Sequence, residues 1–260
     1  MTRWQPSPFL QASAVIHAGA AAGLLLAPAS WPLAVGAVAA NHLALTVAGL
    51  LPRNGLLGPN ITRLPAAAAA RGEVVLSIDD GPDPDVTPKV LDQLAAANAH
   101  ATFFCIGRRA AAHPALAREI IARGHTIENH SEHHWKRFST LGPGRMAREI
   151  STAQETLTHI TGCAPRYFRP PAGLRNPFLD PVLTRLELRL ATWTRRTYDT
   201  RVGDPQRILA RLGNGLAGGD ILLLHDGNAA RSPAGTAVIL EVLPHLLAKL
   251  RAAGLTPVTL

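Results

Sequence analysis

The sequence predicts an α/β fold: a parallel sheet of seven strands curved into an incomplete, distorted (β/α)7 barrel, preceded by a two-helix transmembrane hairpin. Two observations carry this. From Glu73 to Leu260 short apolar runs alternate with longer stretches of helical period, separated by Gly, Pro or Asp, and that alternation is the pattern of βα units and a parallel sheet. Ahead of it, two long stretches lack any Asp, Glu, Lys or Arg. Composition agrees: 260 residues, 47% hydrophobic and 17% charged, are too apolar for a disordered chain and show no fibrous period. The length suits one domain of roughly 200 residues plus an appendage, which needs no disulfide staple. Of the two cysteines, Cys105 lies in an apolar run and reads as a core residue.

The charge-free stretches run from Phe9 to Ala27 and from Trp31 to Leu51, each near the ~20 residues that span a bilayer as a helix. Pro28-Ala29-Ser30 makes the turn between them, Trp31 stands as an interfacial aromatic, and Arg3 and Arg53 flank the outer ends. Residues 1–52 therefore read as a hairpin. With Arg3, Arg53, Arg63 and Arg71 outside it and an uncharged turn, the positive-inside rule puts both ends, and the domain that follows, on the cytoplasmic side of a bacterial-type inner membrane. Two readings compete: a cleaved secretory signal, which leaves the second stretch unexplained, and amphipathic helices on the membrane or on the protein, suggested by His17, Asn41 and His42. Residues 53–72, with Pro, Gly and Asn followed by Ala66 to Ala70, form a linker to the domain at 73–260.

Within 73–260, strands are expected near Val74–Ile78, Ala101–Ile106, His125–Glu128, Arg166–Phe168, Arg189–Trp193, Ile221–Leu224 and Thr256–Leu260. Helices are expected near Thr87–Ala97, Pro114–Arg123, Gly144–His159, Pro177–Leu186, Pro205–Leu216 and Thr236–Ala253. Thr87-Pro88 and Asp204-Pro205 each supply a cap followed by proline in the first turn. The net charge of +8, almost all from arginine, fits nucleic acid, an anionic membrane or a phosphorylated substrate. With no basic run, zinc-finger spacing or RNA-binding aromatic signature, nucleic acid is excluded as a partner.

Barrels gather chemistry at the C-terminal ends of their strands, and the polar residues fall there: Asp79 and Asp80, His130 and His134, Arg169, Arg196 and Asp199, then His225 and Asp226. His130 and His134 are four apart, the spacing that puts two imidazoles on one face of a helical turn. With a carboxylate from Asp79 or Asp80 they make a His2Asp set with open positions. Such a set suits a catalytic divalent metal, zinc first and Co2+, Ni2+ or Mn2+ as alternatives, whose water drops toward a pKa of about 7. Side chains of adjacent residues diverge on an extended segment, so one Asp is expected to ligate and the other to serve as base, held ionised by a bidentate pair with Arg169. His225, ending an apolar strand, adds a second titratable group. These are the parts for hydrolysing an acyl bond.

Four ordered motifs, Ser77-Ile78-Asp79-Asp80-Gly81-Pro82, His130-Ser131-Glu132-His133-His134, Arg166-Tyr167-Phe168-Arg169-Pro170-Pro171-Ala172-Gly173 and Leu223-Leu224-His225, resemble those of the NodB-like polysaccharide deacetylases, carbohydrate esterase family 4. The resemblance covers Glu73 to Leu260. It implies that Asp79 is the general base, that Asp80, His130 and His134 bind the metal, that Arg169 tunes the base, that His225 is the general acid, and that Leu223 lines the pocket for the acyl methyl.

Three departures from the family pattern stand out. Ala172 replaces an aromatic, removing a stacking wall while keeping a backbone N–H for the oxyanion. The usual Asp-x-x-Asp-Trp appears as Arg196-Thr197-Tyr198-Asp199-Thr200, leaving Asp199 to orient His225 and giving a more cationic cleft through Arg196. Third, members that trim cell-wall polymers are commonly exported, whereas the charges here place the domain inside. The departures favour an N-acylated amino sugar, acetylated or formylated, on a lipid-linked phosphate, with Arg195 and Arg196 near the site. A periplasmic deacetylase of peptidoglycan or exopolysaccharide, and a non-catalytic carbohydrate-binding relic, are the alternatives.

Overall fold

The structure, a computed structural model, describes residues 3–260. Helices α1 (Pro8–Leu26) and α2 (Trp31–Leu50) form an antiparallel pair, joined through the single-turn segment Pro28–Ser30. Both are long and apolar enough to cross a membrane. Most of their side chains face outward. Where they touch, the buried Asn41 side chain donates to Ser13 Oγ at 2.8 Å, and the His17 and His42 Nε2 atoms lie 3.3 Å apart. These pairs satisfy the polar groups that an apolar helix would otherwise leave bare.

After α3 (Ala66–Ala70) come β1 (Glu73–Asp79), α4 (Thr87–Ala96), β2 (Thr102–Cys105), α5 (Gly107–Ala112), α6 (Pro114–Ala122), β3 (Thr126–Asn129), α7 (Pro143–Thr161) and β4 (Tyr167–Phe168). They are followed by α8 (Leu179–Arg185), β5 (Arg189–Leu190), β6 (Arg195–Arg196), α9 (Pro205–Gly213), β7 (Ile221–His225), α10 (Ile239–Ala252) and β8 (Thr256–Val258). The strands pair in parallel in the order β5-β4-β3-β2-β1-β7-β6, with β8 beside the start of β1. The expected parallel, unclosed barrel is present, with one strand more than the seven expected: β6, two arginines long. The six-residue α5 and the later start of α10 at Ile239 also depart from the sequence reading.

Strand alternation divides the core. Val74, Leu76 and Ile78 of β1 point outward with Leu222 and Leu224 of β7 into the apolar layer beneath α4, α9 and α10. Val75 points inward to Trp193, Ile221 and Leu223. Burying each large aliphatic side chain contributes about 1.5–3 kcal/mol, so the register of β1 and β7 is fixed from outside. By the same parity Ser77, Asp79 and His225 face the barrel interior.

The segment between the helix pair and β1 lies along the open seam of the barrel. Ile61 N donates to Leu190 O at 2.9 Å, Thr192 N to Ile61 O at 2.8 Å, and Leu64 N to Gly219 O at 2.9 Å. Arg63 and Arg195 both pair with the buried Asp220, at 2.6 and 2.8 Å. The helix pair is likewise seated on the barrel. Arg175 N donates to Gly49 O at 3.2 Å, and a Cβ on Gly49 would lie 2.2 Å from Arg175 O, so only glycine permits this approach. Arg53 Nη1 donates to Thr194 O at 2.8 Å and Trp4 Nε1 to Asp180 Oδ2 at 2.8 Å.

Candidate active site

The C-terminal ends of β1, β3, β4 and β7 deliver the expected side chains to one chamber. Asp79 and Asp80 do not diverge as an extended segment would make them. β1 ends at Asp79, and Asp80 turns back with φ of 75°, so both carboxylates face His130: its Nε2 lies 3.2 Å from Asp80 Oδ1 and 3.8 Å from Asp79 Oδ2. His130 and His134 do not share a helical turn either. They belong to a loop in which Ser131 and His134 have φ of 64° and 53°, closed by His134 N donating to Ser131 Oγ at 3.0 Å. The rings still converge, with centroids 4.8 Å apart and His134 Nε2 at 3.0 Å from Asp80 Oδ1.

Asp80, His130 and His134 form a group whose ligand atoms all lie within 4.8 Å of one another. His130 Nδ1 lies 2.7 Å from Arg169 O. Donation to that carbonyl fixes the ring's tautomer and turns the Nε2 lone pair inward, the usual arrangement behind a metal-ligating histidine. Asp80 Oδ1 is buried with no hydrogen-bond partner among the described residues. Lone pairs converging on a buried oxygen that lacks a proton donor fit a divalent cation.

Two supports for Asp80 had no signal in the sequence. Asn228 Nδ2 donates to Asp80 Oδ2 at 3.0 Å, and Arg109 braces both, donating to Asp80 O at 2.9 Å and Asn228 Oδ1 at 3.0 Å. Arg109 lies on the unexpected α5, and Asn228 belongs to no recognisable motif. Asp226, next to His225, is fully buried. Its carboxylate accepts from Thr87 Oγ1 at 2.5 Å and Gly227 N at 2.8 Å, and burial, with the charges of Asp80 and Asp83, raises its pKa to about 7.

Arg169 is wholly buried. Its contact with Asp79 is a single bond, Nη1 to Oδ1 at 2.5 Å, not the bidentate pair expected. The other donors are engaged elsewhere: Nε with Ala191 O at 3.1 Å and Nη2 with Thr192 O at 2.7 Å, while the guanidinium lies 3.9 Å from the centroid of the Phe104 ring. Arg169 is thus held by the ends of the neighbouring strands and gives Asp79 a fixed cation.

Asp199 clamps His225 at two points, with Oδ1 at 2.7 Å from Nδ1 and Oδ2 accepting the His225 backbone N–H at 2.8 Å. Thr197 Oγ1 donates to Asp199 at 2.5 Å. Burial alone would lower the His225 pKa, but Asp199, helped by Asp79 and Asp80, raises it to about 9. Leu223 lies two residues before His225 on the same inward face of β7.

Ala172 is exposed, in a loop where its φ is 56°. Arg196 flanks that loop, with Nη1 at 3.5 Å from Ala172 O and its guanidinium over Trp193 and Tyr198, 5.2 and 4.8 Å from the ring centroids. Arg195 does not join the site. Its guanidinium turns to Asp220, Asn214 O and Gly215 O, because the side chains of successive residues in β6 point opposite ways.

Comparison with known proteins gives one consistent result. The polysaccharide deacetylase family profile matches residues 67–191. A chitooligosaccharide deacetylase of Azorhizobium caulinodans is 32% identical over 191 residues, 71% of this chain and 90% of the relative. A peptidoglycan-N-acetylglucosamine deacetylase of Bacillus cereus is 30% identical over 183 residues, 69% of this chain and 65% of the relative. The solved structure of a family 4 carbohydrate esterase from Streptomyces lividans, in complex with acetate, superposes with a TM-score of 0.65 at 30% identity, covering 72% of this chain and 91% of that one.

Proposed function

The chain belongs to the polysaccharide deacetylase family, a family of carbohydrate N-deacetylases, and on that premise we propose that it removes an N-acetyl or N-formyl group from an amino sugar carried on a lipid-linked phosphate. The observation that carries the chemistry is the two pairs Asp79–Arg169 and His225–Asp199, delivered to the same chamber as Asp80, His130 and His134. Those three residues would hold a divalent metal, zinc by the softness of its imidazole ligands. When bound, the ion polarises the acyl carbonyl and acidifies water. Asp79, held in place by Arg169, takes the proton from the attacking water. His225, kept protonated by Asp199, gives its Nε2 proton to the leaving amine. The backbone N–H of the Ala172 loop supports the developing oxyanion, and Leu223 forms the apolar wall against the acyl methyl.

The lipid-linked substrate is supported by Arg196, a cation at the rim of the Ala172 loop, and by the helix pair seated against that same loop. Arg196→Ala is expected to lower kcat/KM on a phospholipid-linked N-acetyl sugar well beyond its effect on chitotetraose; equal losses would sink the lipid-linked reading. By the arginine distribution, the domain faces the cytoplasm, so alkaline phosphatase fused after Leu260 should be inactive. Activity there would favour the second reading, a periplasmic deacetylase, which the peptidoglycan-directed Bacillus cereus relative supports. The first experiment is acetate and formate release from N-acyl amino sugars by the purified full chain. Release should cease with a chelator and return with zinc, whereas a non-catalytic relic would release nothing under any condition.

A further inference from the structure

A groove of about 640 Å³ runs between the N-terminal turns of α1 and the loop that leads into α8. Its walls are Trp4, Leu10 and Ala14 on one side and Pro177, Phe178 and Pro181 on the other. The amide of Gln11, also in the groove, is spent on Pro6 O at 2.9 Å. Two large aromatics stand open here, Phe178 at 47% and Trp4 at 37% exposure, although the indole N–H is anchored on Asp180. An apolar trough with unburied aromatics on a catalytic unit calls for an occupant.

Its position indicates which one. One wall is the helix that carries on as a bilayer-length apolar rod, with Val15 at 70% and Leu25 at 83% exposure farther along, so the trough opens into the hydrocarbon phase. The other wall is continuous with the cleft rim. Ala172 borders Arg196, a Cβ on Gly173 would meet Trp193 and Pro52, Arg175 is bonded to Gly49 and Asn54, and Phe178 reaches the groove. From Ala172 to Phe178 the chain spans at most ~20 Å. A sugar in the cleft, a phosphate beside Arg196 and a hydrocarbon chain in the trough would lie along one loop in that order.

We propose that the groove between α1 and the Pro177–Pro181 segment at the start of α8 binds the hydrocarbon chain of the substrate's lipid carrier and so delivers its amino sugar to the Asp79–His225 cleft. This rests on the lipid-linked deacetylase reading above and adds the site that recognises the chain. Bulk bilayer lipid or a second copy of the protein are the other occupants, and the test separates them.

The test uses the full chain in nanodiscs of phosphatidylethanolamine and phosphatidylglycerol, with polyprenyl-phosphate-linked N-acetylglucosamine and chitotetraose as substrates. Ala14→Trp fills the trough from an exposed helix position, and Phe178→Ser opens it. Each should lower kcat/KM on the polyprenyl substrate at least about tenfold, the loss of as few as two buried methylenes, and leave chitotetraose within about twofold. In parallel, a polyprenyl phosphate with a diazirine in its chain should label peptides containing Trp4–Ala14 and Pro177–Pro181. Unlabelled polyprenyl phosphate should compete this labelling away, and excess phosphatidylethanolamine should not. Equal losses on both substrates, no loss on the polyprenyl substrate, competition by bulk lipid, or a cross-link between copies at these peptides would each overturn the proposal. A wild-type protein inactive on both substrates would instead overturn the deacetylase reading, and the labelling pattern would still decide for or against the groove.

Discussion

Asp79 and His225 are neighbours across the β1–β7 pairing, yet their partners carry opposite charge, Arg169 for the one and Asp199 for the other. Asp79 has the buried Arg169 guanidinium on one oxygen, so replacing it with Asn keeps the shape and removes the base. A loss in kcat of about 10²–10⁴ is expected, with the melting temperature and zinc binding retained; activity near wild type would mean that another group takes the proton. For His225, a pKa of about 9 means that the acid form persists up to about that pH and is lost above it, so the alkaline limb of kcat should fall near pH 9. Asp199→Asn removes the main support of the charged ring and leaves burial, which lowers the pKa. The limb should move well down in pH, and activity at pH 8 should drop about tenfold or more. A limb that stays in place would show that His225 is not the group titrating. These residue types and their order were legible in the sequence because strand ends gather in a barrel. Their geometry was not. The left-handed backbone at Asp80, Ser131 and His134 sits among long-range bonds such as Gly107 N to Ser131 O and Glu132 N to Glu149 O, and Asn228 reaches Asp80 only because the loop after β7 folds back over it.

Among the connecting elements, the loop from Pro170 to Asn176 carries the most consequence, since it joins Arg169 to the helix pair. Two adjacent residues in it have positive φ, Ala172 at 56° and Gly173 at 74°, and they should respond to substitution with opposite signs. Ala172→Gly removes a Cβ from a left-handed position, relieving about 1 kcal/mol, and the melting temperature should rise by about 2–4 °C for a domain of this size. Gly173→Ala adds a Cβ that would lie 2.4 Å from the Trp193 ring and 3.0 Å from Pro52. It should destabilise by more than about 1 kcal/mol and disturb the seat of α2 on the barrel. Differential scanning calorimetry of the two variants checks the pair, and a fall in both would refute the strain at Ala172. At this scale, long elements were readable and short ones were not. β7 is an unbroken apolar run and α7 shows a clear helical period, whereas β6 is Arg195-Arg196 alone and α5 is one and a half turns of Gly, Arg and Ala, too short for any period to register.

For the molecule as a whole, the decisive feature is that the chain between the helix pair and β1 lies along the barrel's open seam. A composition rich in Pro, Gly and Asn reads as a tether, because the partners of this segment, Leu190, Thr192 and Gly219, are more than a hundred residues away in sequence. Two truncations measure what the seam contributes. A chain beginning at Gly55 keeps Leu57, which is 1% exposed, the Ile61 and Leu64 backbone bonds, and the Arg63–Asp220 pair. A chain beginning at Gly72 loses all of these and leaves the wholly buried Asp220 carboxylate to Arg195 and the Ala217 backbone N–H. Losing a charged partner of a buried carboxylate costs about 1–3 kcal/mol, and opening the β5 edge and removing the buried Leu57 side chain from its packing cost about as much again. At about 2–4 °C per kcal/mol, the shorter chain should melt at least about 5 °C below the longer one and lose deacetylation of chitotetraose first, because Ala191 and Thr192, the carbonyls that hold Arg169, sit at the edge that opens. Equal melting temperatures and equal activities would mean that the seam closes without the segment, and that the helix pair and the barrel are joined by a tether after all.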